Sequence, residues 1–235
     1  MRMILTATLA IAPLAIAPLL AKDNDSVKRL NATAVVFSEI MATPDKGIPE
    51  DLLARAHCIV IVPSEKSAAF IFGGKYGKGY VSCRREGGWS APATVIIEGG
   101  SFGFQIGGST TDVIMLVMNQ GGEDKLLSSK FTLGADASVA AGPVGRTAEA
   151  QTDLQMHAEI LSWSRSQGLF AGVALEGATL RQDLDANGDI YGKKLDNREI
   201  LTTSVRPTRA AARLIGELDK HPARERATTP AGGSQ

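Results

Sequence analysis

The chain of 235 residues predicts an α+β fold: a strongly bent antiparallel sheet or barrel-like sandwich of about seven to nine strands, covered by N-terminal helices. Three observations lead there. The stretch FTLGADASVAAGPVGR, Phe131 to Arg146, is dense in Gly and Ala, a composition used where backbone lies close to backbone or φ must be positive. Two further segments, GGSFGFQIGGSTTD (Gly99 to Asp112) and SRSQGLFAGVALEG (Ser164 to Gly177), have the same texture and read as strands of one sheet, which glycine allows to curl. The longer apolar stripes at helical spacing sit toward the two ends of the chain.

Taken in order, residues 1–21, MRMILTATLAIAPLAIAPLLA, have the layout of a secretory signal peptide, with cleavage expected after Ala21. The apolar run is short for a membrane span and is broken by Pro13 and Pro18; an uncleaved anchor is the rival reading. Val27, Leu30, Ala34, Phe37 and Met41 then recur at steps of three and four, one face of a helix from Asp25 to Met41. Lys28, Arg29, Asn31 and Ser38 share the other face. The pattern fits a helix packed on the sheet and equally one lying on a bilayer. Pro49, Glu50 and Asp51 open a second, short helix, with the acids where the helix dipole favours them.

Ile59 to Val62 is apolar on both faces, the mark of a central strand. Cys58 opens that run and Cys83 closes GYVSC. An even cysteine count in an exported chain favours a disulfide, which closes a loop worth about 3.5 kcal/mol in conformational entropy; two buried thiols are the other reading. Ala68 to Gly73 and Gly79 to Cys83 flank GKYGK and read as a hairpin, with Lys75 and Lys78 at its tip and Arg84 and Arg85 at its far end. A phosphate-cradling loop is not expected at Gly74, Gly77 and Gly79, since no helix start follows.

Ala93 to Glu98 is the next strand, and Phe102, Phe104 and Ile106 alternate with glycine and glutamine in period two. Asp112 to Asn119 is again apolar, ending at a turn over residues 120–123, with a short helix expected from Asp124 to Ser129. Asp136, the lone charge among small residues, needs a partner; Arg146 and a ligand head group are the candidates. Thr152 to Ala158 reads as a mobile loop, Ile160 to Arg165 as a strand, and Leu169 to Leu180 as a last long strand bent at Gly172 and Gly177. In DLDANGDIYGKK, Asp183, Asp185, Asn187, Gly188 and Asp189 follow the opening of a calcium loop, but Lys194 stands where a bidentate Glu belongs. A plain Asp/Asn/Gly turn and a weak calcium site both remain open; no other cofactor is indicated. Thr208 to Lys220 is a second amphipathic helix, and HPARERATTPAGGSQ is too polar and too rich in Pro and Gly to pack. The expected organisation is a signal peptide (1–21), one domain with its N-terminal helices (22–205), a C-terminal helix (206–220) and a disordered tail (221–235).

Lys plus Arg and Asp plus Glu both number 25, for a net charge of zero, so no global field draws in nucleic acid or an anionic membrane, and any anion binding is local. The three histidines, His57, His157 and His221, stand apart in sequence. HExxH and CxxC patterns do not occur, and the GxSxG match at Gly99 to Gly103 falls inside a segment read as strand rather than at a strand-to-helix elbow, so the common zinc, redox and serine-hydrolase sites lack their parts. Weight shifts from catalysis to binding.

The succession GGKYGKGY, WSAP, GGSFGFQIGGSTTDVIMLVMN, SKFTLGADASVAAGPVGR and ILSWSRSQGLFAGVALEGATL resembles the SYLF domain family, the lipid- and actin-associated modules of eukaryotic endocytic proteins and their bacterial homologues. The likeness runs from about Ile48 to about Leu201. It implies a non-enzymatic protein that binds anionic phospholipid, phosphoinositides in eukaryotes, and for an exported bacterial member a periplasmic or membrane-peripheral location. The expected contact surface is the apolar helix face Leu30, Phe37 and Met41 inserting in lipid while Lys28, Arg29, Lys75 and Lys78 meet phosphates. The alternative is a structural or protein-interaction module of the cell envelope.

Overall fold

The computed structural model describes residues 25–43, 47–69, 73–101, 107–145, 155, 157–166 and 169–223. The expected signal peptide, the aromatic alternation at 102–106, Arg146 and most of the C-terminal tail lie outside the described residues.

The frame is a mixed α+β structure whose sheet is curled into a half-barrel. Its strands are β1 (Cys58–Ala69), β2 (Gly73–Arg85), β3 (Gly88–Trp89), β4 (Ala93–Ser101), β5 (Gly107–Val117), β6 (Lys130–Thr132), β7 (Val139–Ala141), β8 (Ile160–Ser166), β9 (Leu169–Gly172) and β10 (Thr179–Gln182). They run β6-β10-β4-β2-β1-β5-β8-β7, with β3 on β2 and β9 on β8. The helices are α1 (Asp25–Met41), α2 (Glu50–Arg55), α3 (Gln120–Leu126), α4 (Leu184–Tyr191), α5 (Asn197–Thr202) and, after a 3-10 turn at Arg209–Ala211, α6 (Ala212–Leu218).

Strand β1 shows why the sheet is central. Cys58, Val60 and Val62 point into one apolar cluster with Leu126, Phe131, Leu180, Ile200 and Leu201. Ile59 and Ile61 point into another with Leu30, Phe37, Leu52, Leu53, Leu214 and Leu218. A strand buried on both faces reads as an unbroken apolar run, which is how CIVIV reads. Helices α1, α2 and α6 supply the second cluster, so the cover is C-terminal as well as N-terminal.

Several expectations are corrected. GKYGK is not a hairpin tip but lies within β2. The glycine that follows it serves closeness rather than turning: a Cβ on Gly79 would stand 2.1 Å from Ile61 O, beside the point where the β1–β2 register shifts. Residues 120–123 are not a turn but the start of α3, where the Asn119 side chain accepts from Gly122 N–H and so caps the helix. One pair in the expected antiparallel sheet, β7 with β8, is parallel. The long strand 169–180 is two strands, β9 and β10, on different neighbours. Asp136 is exposed and accepts from the Thr132 N–H at 2.7 Å. The tail begins in contact with the core, because the His221 ring packs edge-on against Phe37 with centroids 5.6 Å apart.

Residues Asp183 to Lys194 are corrected too. Leu184 to Tyr191 is helix α4, and Asp183 is its N-cap, accepting from Ala186 N–H. The Asn187 side chain is fully buried. Its Oδ1 accepts from Thr94 N–H and Thr94 Oγ1–H, and its Nδ2 donates to Leu195 O and Asn197 Oδ1. This network fastens the C-terminal third to β4, and it recruits turn-forming residues into a helix that their local chemistry disfavours.

Candidate functional site

The sheet ends where β1 begins and β2 leaves, and there Cys58 and Cys83 are register partners joined by a disulfide, with Cα atoms 3.9 Å apart. The residues one step outward are therefore neighbours as well: Arg84 N–H donates to His57 O at 2.7 Å. Beyond Arg85 the chain reverses at Glu86 and Gly87, with Gly87 at φ 87° and Gly88 at φ 140°, so that β3 lies back along β2. This reversal sets Trp89 beneath Arg84, whose guanidinium carbon is 4.1 Å from the ring centroid, within cation–π range. Trp89 Nε1–H in turn donates to Leu218 O at 3.1 Å, fixing the ring against α6.

His57, Arg84, Arg85 and Trp89 line a pocket of about 1100 Å³ with Arg55 and Glu123. Arg84 donates from one terminal nitrogen to Leu53 O at 3.2 Å and His221 O at 2.9 Å. Arg85 donates to Leu201 O, Arg84 O and, at 3.0 Å, Glu123 Oε1. The buried Glu123 carboxylate also accepts from His57 Nδ1 at 3.0 Å. Two guanidinium groups remain partly unsatisfied: Arg84 Nε and an Arg85 terminal nitrogen are buried without a hydrogen-bond partner among the described residues. Burial lowers the Arg84 pKa, with Asp219 opposing; an arginine still keeps its proton. Desolvated N–H donors on side chains that line a pocket suit an anion that returns the lost hydrogen bonds once those side chains turn toward it. The formal charges of the lining balance, with Arg55, Arg84 and Arg85 set against Glu86, Glu123 and Asp219, so attraction there is short-range and directional rather than a broad field.

The residues expected to meet lipid are not brought together. Leu30 and Phe37 are buried between α1 and the sheet, and Met41 packs at the edge of the same cluster. Lys28 is exposed, while Arg29 is half-buried and engages Tyr80. Burial pushes the Tyr80 phenol well above its ordinary value, opposed by Arg29. Lys75 and Lys78 sit an odd number of residues apart in one strand and so point to opposite faces; Lys78 is bound to Asp183 Oδ2 at 2.7 Å. The calcium-type set is spread along α4: Asp185 meets Lys194 at 2.6 Å, Asp189 accepts from Ser26 Oγ, and Asp183 and Asn187 are used as above. His57 and Glu123 were missed as site residues. The available signal was positional, since pairing Cys58 with Cys83 makes His57 and Arg84 neighbours by register alone.

Comparison with known proteins gives a family. The profile described as Ysc84, Las17-binding protein actin regulator, matches residues 98–221. LAS seventeen-binding protein 3 of Saccharomyces cerevisiae is 36% identical over 182 residues, covering 74% of this chain and 39% of that protein. SH3 domain-containing YSC84-like protein 1 of Homo sapiens is 36% identical over 169 residues, 70% of this chain and 49% of that protein. The chain therefore spans two fifths to one half of these relatives.

Proposed function

This chain belongs to the Ysc84, or SYLF-domain, family, and from that membership we propose that it is a non-catalytic binding protein that docks on anionic phospholipid through the arginine-lined pocket at the end of the sheet. The observation that carries the proposal is the pair of buried, unpartnered donors, Arg84 Nε and the Arg85 terminal nitrogen. A phosphate in the pocket would return both bonds once the two side chains turn toward it, and charge-assisted bonds are stronger than the neutral kind. His57 lies at the rim and Arg55 on the exposed side of α2, where each can meet a neighbouring headgroup. With the export-signal layout of residues 1–21, the proposal puts the working chain outside the cytoplasm of a bacterium, facing phosphatidylglycerol or cardiolipin.

The test is co-sedimentation of the chain with vesicles of phosphatidylcholine alone and of phosphatidylcholine mixed with phosphatidylglycerol, at low and high salt. Binding to the anionic vesicles only, weakened by salt and by Arg84→Gln or Arg55→Glu, is the expected result. Equal binding by the Arg84→Gln variant and the wild type removes the pocket from the proposal. Failure to bind either vesicle favours the second reading, a protein-interaction module, which the relatives' names as Las17-binding proteins support; on that reading the pocket takes a carboxylate from a partner.

A further inference from the structure

We propose that Cys58, Cys83 and Glu123 form a zinc site when the disulfide is reduced, with His57 positioning the carboxylate. The two sulfurs and a Glu123 oxygen lie within 4.8 Å of one another, and all three side chains are buried. Donors around one tetrahedral zinc ion stand roughly 3.5–3.8 Å apart, given Zn–S and Zn–O bonds near 2.3 and 2.1 Å. Accepting the ion requires the two sulfurs to part and the Glu123 oxygen to stand at that spacing from both, an adjustment on the scale of a side-chain rotation. Two thiolates with a carboxylate are a soft-leaning donor set that favours zinc over calcium or magnesium. The carboxylate is held from behind by His57 Nδ1 and Arg85, each at 3.0 Å, the kind of outer-shell bonding that orients a ligand. Glu123 and His57 both line the pocket, so the ion enters on the carboxylate side, while the sulfurs stand behind it, fully buried.

A dithiol reductant delivers two electrons and two protons to the S–S bond and is itself oxidised to a disulfide, leaving two thiols on the protein. Zinc then displaces both thiol protons to solvent. The ion and two thiolates together carry no net charge, as the disulfide carries none, so the compensation of Glu123 by Arg85 and His57 is undisturbed. The disulfide and the zinc site are exclusive states of one pair of cysteines.

The test uses the whole chain, reduced with a phosphine that is then removed without oxygen, and titrated with zinc against a chromophoric chelator and with cobalt(II) as a spectroscopic probe. The reduced chain is expected to bind one equivalent of zinc and the oxidised chain none, and cobalt should show a thiolate charge-transfer band with tetrahedral visible bands. Cys83→Ser should abolish that band, Glu123→Gln should weaken zinc binding by loss of a ligand, and His57→Gln should weaken it about 10–100-fold. Arg84→Gln, which removes a donor of the anion pocket, should leave zinc binding unchanged. Equal zinc binding by the oxidised chain or by the Cys58→Ser, Cys83→Ser double variant overturns the proposal, as does a cobalt spectrum without the thiolate band. Should reduction unfold the chain, recovery of its far-ultraviolet circular dichroism on adding zinc supports the site, and no recovery overturns it.

Discussion

A Cβ added to Gly142 would stand 2.0 Å from Trp163 Cε2, and one added to Gly172 would stand 2.0 Å from Gly142 O. Neither neighbour can yield: the indole is fully buried and its Nε1–H is tied to Pro143 O at 2.9 Å, and the other is backbone. Gly142→Ala and Gly172→Ala are each expected to lower the urea midpoint, at a cost of about 3 kcal/mol or more, the upper range for overpacking. Gly216 is the counter-case, a helical glycine whose added Cβ meets nothing within 4 Å; Gly216→Ala should stabilise by about 1 kcal/mol through helix propensity. Asp183 carries a pH signature. Burial alone raises its pKa, but hydrogen bonds from Lys78 and the Ala186 N–H outweigh it and hold the carboxyl below its ordinary 3.8. Because the folded pKa is depressed, this contribution to stability is complete above the unfolded value and is lost as pH falls through the folded one. Lys78→Met should therefore be less stable than wild type at neutral pH by about 1–3 kcal/mol, and the gap should narrow below about pH 4 as the variant's carboxyl protonates. Denaturant melts of both proteins across that range give the comparison.

Helix α1 was legible from its three-four stripe, but its destination was not, since a stripe of that kind serves a sheet or a bilayer equally well. The structure places Leu30 and Phe37 against Ile59, Ile61 and Tyr80, and the Tyr80 hydroxyl donates to Ser26 O at the helix start. Phe37→Ala is accordingly expected to cost about 3–5 kcal/mol in equilibrium unfolding; a change below 1 kcal/mol would mean that the helix does not rest on the sheet in solution. The β1–β2 pair carries its own test. Reduction of Cys58–Cys83, which spans a separation of 25 residues, should cost about 3.5 kcal/mol by loop-closure entropy, read as a fall in the urea midpoint in metal-free buffer. Helix α4 was misread because Asp, Asn and Gly favour turns locally, and burial of Asn187 against Thr94 and Asn197 overrode that preference.

At the scale of the whole molecule, one sheet contributes to both apolar clusters through alternate residues of the same strands, so neither can melt while the other stays. Trp89 and Trp163 both report on the second cluster, and their fluorescence, each isolated by replacing the other with Phe, should therefore follow the same denaturation curve as far-ultraviolet circular dichroism, which reports on the sheet shared with the first. Curves that separate would show the helical cover leaving the sheet independently. The sequence by itself determined what depends on local chemistry and periodicity: the mixed α+β class, the central apolar strand at Ile59 to Val62, the amphipathic ends, the glycine-rich sheet that curls, and the motif order that marks the family. Only the tertiary structure decided the candidate site. His57, Arg84, Arg85, Trp89 and Glu123 meet because strand register and a glycine reversal bring them to one end of the sheet. Register is a relation between distant segments, and it leaves no periodic trace in either of them.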